Sequence, residues 1–393
     1  MRTVCEGVPL SGYTTLRLGG PAARMIEAGS RDELVAAVRA ADSRGEPVLV
    51  LGGGSNLVVC DRGFAGTVVR VATRGVTRTL PGGRVPSGRE PAGGRVPVTV
   101  EAGEDWDALV AWSVAEELSG LECLSGIPGL TGATPIQNVG AYGQEVAETI
   151  ESVRAYDRER GAVVQIGGAE CEFGYRTSLF RQAWAGRPAA APHASTATAH
   201  HSPVNAAQPT GRFVVLAVTF ALAASPLSAP VRYPELAGRL GVEAGQQVPL
   251  AAARAAVLEL RRGKGMVLDP ADPDTRSAGS FFTNPVLAED RFAELVSAAA
   301  ARGGGPVRVP HFSAGPGQVK VPAAWLIEQA GFGKGYQNGS PARISAKHPL
   351  ALVNPGGATT AGLIELARQI RDGVRSAFGI ELRAEPALVG VTL

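Results

Sequence analysis

Apolar positions along this chain switch between a helical period and the two-residue period of strands, and the switches mark out its elements. Behind Ser30, the residues Leu34, Val35 and Val38 lay an apolar face along a helix, and Glu33 completes the pattern of a capping box. Before it, TTLRLGGPAARMIEAGS reads as a polar turn followed by a short strand. Val48-Leu49-Val50-Leu51 predicts a strand running into Gly52-Gly53-Gly54-Ser55-Asn56, and the apolar, largely β-branched Leu57-Val58-Val59 predicts another directly after. Val98-Thr99-Val100 returns to strand past Pro97, and residues 106 to 118 have helical spacing. Residues 150 to 156 and 163 to 166 read as a hairpin about Arg158-Glu159-Arg160-Gly161. A strand is expected at 213 to 220, and an alanine-rich helix at 250 to 262 is closed by Gly263. The last third reads as α+β, with helices at 287 to 301, 322 to 330 and 360 to 378 and strands at 307 to 309, 350 to 353 and 380 to 391. Pro322 is expected in a first turn, and Gly331 and Gly379 as helix stops.

Several stretches escape both periods. Residues 80 to 95, rich in glycine, proline and arginine, predict an exposed loop, and 185 to 212 an unstructured insertion of alanine, proline, serine and threonine. Residues 124 to 145 carry too many glycines and prolines for a regular element, yet few charges. An ordered loop of that length points to function, and its small residues let backbone amides approach a flat or phosphorylated ligand. The Gly52 to Asn56 run follows a strand, as in dinucleotide folds, but that fingerprint needs a helix directly after it, and a strand is expected instead. What remains is a plain tight turn or a nest of amides able to hold a pyrophosphate.

Two short segments carry candidate chemistry. In FGYRTS, Arg176 is either a surface charge or a planar fork that clamps a carboxylate. In SAGSFFTNP, Ser280 stands between Gly279 and two phenylalanines: a structural hydroxyl in a loop, or one small reactive group with aromatic walls.

Composition narrows the classes. At 393 residues the chain is long enough for two or three domains. A net charge of +2 argues against a large nucleic-acid surface, and no apolar run is long enough to span a bilayer. Cys5, Cys60, Cys123 and Cys171 are scattered, as expected of reduced thiols in a cytoplasmic protein, and neither they nor the five histidines suggest a metal site.

Taken in order, TTLRLGGPA, VLGGGSN, GATPIQNVGAYG, FGYRTSLF, AGSFFTNP, WLIEQAG and AEPALVG resemble the UDP-N-acetylenolpyruvoylglucosamine reductase family of flavoenzymes. The resemblance covers nearly the whole chain outside the loops at 80 to 95 and 185 to 212. It implies an α+β architecture: a two-lobed FAD-binding domain of the vanillyl-alcohol-oxidase type, with lobes at 1–72 and 73–260, and a substrate domain at 261–390, residues 391–393 returning to the first lobe. FAD, held non-covalently, is expected against Gly52, Gly53, Gly54, Ser55 and Asn56 and against Gly126, Gly132, Pro135, Ile136, Gln137, Asn138, Gly140, Ala141, Tyr142 and Gly143. By the same resemblance NADPH donates hydride, which reaches C3 of an enolpyruvyl nucleotide sugar in peptidoglycan precursor synthesis. Arg176 and Glu385 stabilise the charge that develops, and Ser280 protonates C2. Tyr175, Tyr233, Lys264, Asn284, Lys334 and His348 become substrate-contact candidates, Tyr233 on a loop that closes over the nucleotide sugar. The protein is then expected to be a cytoplasmic monomer without nucleic-acid or membrane partners. Two other classes compete: a related flavin oxidase of a small alcohol, and a nucleotide-binding relative without activity. Many such oxidases tether the flavin through histidine or cysteine, and no histidine precedes His193. All three candidate catalytic residues are present, against the inactive relative.

Overall fold

A computed structural model describes residues 4–78, 94–181 and 210–393. The loop expected at 80 to 95 and the insertion expected at 185 to 212 lie outside the described residues except for their ends. The chain divides into two compact units.

The first unit comprises residues 1–8, 22–53 and 64–260. One sheet has the order Val4–Pro9, Pro21–Ala28, Phe64–Val71, Val48–Leu51, and Phe64–Val71 runs parallel to both of its neighbours. The central strand Phe64–Val71 had no sequence-based assignment. Helix Arg31–Ser43 turns Leu34, Ala37, Val38 and Ala41 inward. Its cap differs from the expected box: Glu33 N donates to Ser30 Oγ at 3.2 Å, but Glu33 Oε2 accepts from Gly29 N rather than from Ser30 N. A second, antiparallel sheet has the order Ala162–Gly167, Ile150–Asp157, Phe213–Ala224, Arg95–Glu101, Val76–Arg78. Against the hub strand Phe213–Ala224 packs Trp106, fully buried 6.0 Å from the Phe220 ring. Helix Trp106–Ala115 ends three residues early because Glu117 turns left-handed and Leu118–Ser119 joins the hub strand. A short helix, Pro234–Leu240, went unrecognised in the sequence.

The second unit gathers residues 9–21, 54–63 and 261–393. The expected contiguous lobe at 1–72 is therefore interrupted twice. The physical reason is one parallel strand pair, Leu57–Val59 with Ala387–Val389, seated where Val58 and Leu16 are buried with the C-terminal core. Helix Thr360–Phe378 has eight buried residues, seven of them apolar members of that core, and stops at the left-handed Gly379. Ser277–Ser280, Ala351–Val353 and Arg343–Ile344 form one small sheet, and Val286–Ala288, Gln318–Lys320 and Phe312–Ser313 another. No strand forms at 307 to 309: Pro306 and Pro310 lack the N–H groups a ladder needs, and Val309 is buried in the core instead. Of the long strand expected at 380 to 391, only Ala387–Val389 forms, since Pro386 breaks the ladder. Pro322 stands just outside helix Ala323–Gln329, at its N-cap position, rather than in its first turn. Among the described residues, no helix is long and apolar enough to cross a membrane.

Candidate active site

In the first unit the chain leaves the strand Val48–Leu51 at Gly52 and Gly53. A Cβ on Gly53 would lie 2.7 Å from Gly129 Cα, and one on Gly132 would lie 2.5 Å from Ala102 Cβ. Side chains there would force the loop at 126 to 143 away from the backbone it rests on. That loop is ordered by hydrogen bonds to residues 102–107 and within itself. Gly126 N donates to Asp107 Oδ1, Thr131 N to Glu104 O, Gly132 N to Ala102 O and Ile136 N to Ala133 O. Its end is a minute hairpin, Gly140–Ala141 with Gln144–Glu145, turned through Tyr142 (φ 50°) and Gly143 (φ 80°). Two successive left-handed residues are what a tight two-residue hairpin requires.

In the second unit Gly54 (φ 62°) stands so close to Tyr13 that a Cβ would lie 2.0 Å from its carbonyl oxygen. Gly54 O accepts from Thr15 N and Asn56 O from Ala387 N. A strand, Leu57–Val59, follows and not a helix, so the loop is not a dinucleotide-fold turn. Neither 52–56 nor 126–143 contains a carboxylate. Nearby, Asp107 is engaged by both Gly126 N and the Arg254 guanidinium. In the first unit, an uncharged, backbone-rich loop at 126–143 whose neighbouring Asp107 is paired with Arg254 suits a phosphate or a flat ring system.

Arg176 sits on a tight turn of the first unit. Gly174 N donates to Thr177 O and Thr177 N to Gly174 O, which forces Arg176 to φ 55°. A left-handed arginine is strained, and strain of this kind collects at functional sites. Its guanidinium donates to Gly140 O at 3.1 Å and lies 5.5 Å from the Tyr175 ring centre. Tyr233 begins the helix Pro234–Leu240 and stands edge-on to Tyr142, ring centres 5.5 Å apart. Beside it, Arg232 pairs with Glu148.

Ser280 and Glu385 belong to the second unit, on neighbouring segments. Ser280 ends the strand Ser277–Ser280 opposite Ala351, after Gly279 at φ 75°. Phe281 and Phe282 are buried behind it, and Glu385 N donates to Phe281 O at 2.9 Å. Both Ser280 and Glu385 are partly exposed. His348 is pushed down to about 4, by burial first and then by Lys264, Lys334 and Arg261. The structure thus brings Lys264, Lys334 and His348 into one cationic neighbourhood. Asn284 Oδ1 accepts from Ala323 N, the first residue of the helix Ala323–Gln329, where Pro322 offers no side-chain cap.

Three supports were invisible in the sequence because their partners are distant along the chain. These are the Asp107–Arg254 pair under Gly126, Ser178 donating to Ile136 O, and buried Asp274, which accepts from Arg343, Ser345 and Ala346 to shape the loop before His348.

Residues 22–167 match a family model described as an FAD binding domain, and residues 270–389 match the C-terminal domain of UDP-N-acetylenolpyruvoylglucosamine reductase. The reductase of Thermobifida fusca is 53% identical over 388 residues, covering 99% of this chain and 98% of that protein. That settles the family. The chain belongs to the UDP-N-acetylenolpyruvoylglucosamine reductases. The reductase of Nocardia farcinica is 51% identical over 392 residues, covering 100% of this chain and 91% of that one. The crystal structure of the Thermus caldophilus reductase shares the fold at 24% identity, with a TM-score of 0.56 over 99% of this chain and 100% of that one. The two-lobed flavin architecture and the FAD requirement expected from the motifs therefore stand. The FAD-binding match of this chain ends before Arg176, and the C-terminal match contains Ser280 and Glu385.

Proposed function

We propose that this chain reduces UDP-N-acetylglucosamine enolpyruvate to UDP-N-acetylmuramate with NADPH, in cytoplasmic peptidoglycan precursor synthesis, and works as a monomer. The observation that carries the activity is the 53% identity to a named reductase along 99% of the chain. When FAD is bound, the chemistry it would supply is relay of hydride from NADPH to C3 of the enolpyruvyl group. The chain's own residues do the rest. The loops at 52–56 and 126–143 hold the flavin. As hydride arrives at C3, charge builds at C2 and on the carboxylate. The guanidinium of Arg176 meets it with a planar fork suited to carboxylates. Glu385 assists in its hydrogen-bonded form, because a bare carboxylate beside that charge would oppose the step. Ser280 delivers the proton to C2, completing the lactyl ether. Lys264, Lys334 and the neutral His348 favour the diphosphate, with Tyr175 and Tyr233 against the nucleotide sugar.

Anaerobic mixing with NADPH and then with the enolpyruvyl nucleotide tests this: the flavin bleaches, then regains its colour. Recolouring only on admission of oxygen would mark an oxidase. A flavin that NADPH does not bleach would mark a binding protein without this activity.

A further inference from the structure

The glycine-rich loop and the arginine turn of the first unit are tied by three hydrogen bonds. Asn138 Nδ2 donates to Gly174 O at 3.1 Å, Ser178 Oγ to Ile136 O at 2.8 Å, and Arg176 Nη2 to Gly140 O at 3.1 Å. Asn138 is the centre of the joint. It is 1% exposed, and its side chain also donates to Glu145 Oε2 at 2.7 Å and accepts from Ala147 N at 3.1 Å. Both amide protons face acceptors and the oxygen faces a donor, so the side chain has one orientation. Its backbone is left-handed at φ 45°, a conformation asparagine tolerates better than other residues with a side chain. The Asn138 side chain is therefore spent within the protein and not on the cofactor.

We infer that Asn138, with Ser178, is a positioning residue: it sets the aim of the Arg176 guanidinium from the loop at 126 to 143. A shift of that loop becomes a shift of Gly174 O and of the turn that carries the arginine. The inference rests on the proposed role of Arg176 in meeting the substrate's developing charge.

The test uses FAD-loaded protein carrying Asn138→Gly, which keeps the left-handed backbone and removes only the side-chain bonds. Ser178→Ala is the independent second variant, and Asn138→Asp sets a carboxylate against Glu145 and Gly174 O. Hydrogen exchange across 174–178 should speed up about tenfold or more in Asn138→Gly, while the hub strand Phe213–Ala224 keeps its protection. In Ser178→Ala, which lies outside the flavin loops, FAD affinity from flavin fluorescence and flavin reduction by NADPH should stay within roughly threefold. Reoxidation by the enolpyruvyl nucleotide should slow about tenfold, and more in Asn138→Asp. The double variant Asn138→Gly with Arg176→Ala should be no slower than Arg176→Ala alone, since both changes remove one interaction. Unchanged exchange at 174–178, or full additivity in the double variant, would overturn the inference. Wild-type reoxidation in Arg176→Ala would instead overturn the role given to Arg176, and the exchange result alone would then decide whether Asn138 holds the turn.

Discussion

Ser280 lies at a strand end between Gly279, which contributes no side chain, and Phe281 and Phe282, which are buried. If it is the proton donor to C2, Ser280→Ala should spare flavin reduction by NADPH and slow reoxidation by substrate by roughly 10²-fold, the usual scale for a positioned general acid. Stopped-flow traces separate the phases, and equal slowing of both would remove Ser280 from the chemistry. His348 makes a prediction in pH. Its imidazole is held down to about 4 from 6.5 by burial and then by Lys264, Lys334 and Arg261. The folded chain keeps it neutral while the unfolded chain protonates it below 6.5. Stability present above that pH is therefore lost progressively as the pH falls towards 4, by on the order of 2 kcal/mol after discounting for partial exposure. Urea unfolding of His348→Gln should show a shallower fall than the wild type between pH 6.5 and 4. Parallel curves would contradict the assignment.

At the scale of elements, the flavin loops depend on backbone contact. Gly53→Ala would place a Cβ 2.7 Å from Gly129 Cα, so one loop must move. Because neither loop is a long element, the cost should fall on the cofactor more than on the fold: FAD affinity should drop by roughly tenfold, about 1.4 kcal/mol, with a thermal midpoint only a few degrees lower. Fluorescence titration of the apoprotein with FAD measures the first and calorimetry the second. Wild-type affinity would mean that 52–56 does not shape the site.

At the scale of the whole molecule, 185 to 212 is the segment expected from composition to be an insertion. Residues 210–212, expected within that insertion, are firmly held. Val50 N donates to Thr210 Oγ1, the Arg158 guanidinium to Thr210 O and Gly211 O, and Arg212 pairs with buried Asp157 at 2.6 Å. The Arg212 pair holds the Asp157 carboxyl below its usual range. Deleting residues 186–208, whose composition predicts an unstructured insertion, should leave the thermal midpoint within a few degrees, since a segment that offers almost no core costs little to shorten. Arg212→Ala, which leaves Asp157 buried without its main partner, should cost about 2–3 kcal/mol in urea unfolding. A collapse of the deletion variant, or a neutral Arg212→Ala, would each reverse this division.

What the sequence determined by itself was local or ordered along the chain. The strand–glycine–strand run at 48–59 excluded a dinucleotide turn because the residues deciding it are adjacent. The amphipathic helix Thr360–Phe378 was legible end to end because eight inward positions repeat at helical spacing before a left-handed glycine. The order of seven motifs was enough to point to the family. Tertiary structure decided everything that joins residues far apart. Ala387–Val389 lies beside Leu57–Val59, so 54–63 belong with the C-terminal core. Asp107 beneath Gly126 answers to Arg254, and Asn138 answers to Gly174. Hydrogen-bond partners of this kind leave no period in a sequence, because a buried polar group needs a partner in space and places no constraint on where along the chain that partner lies.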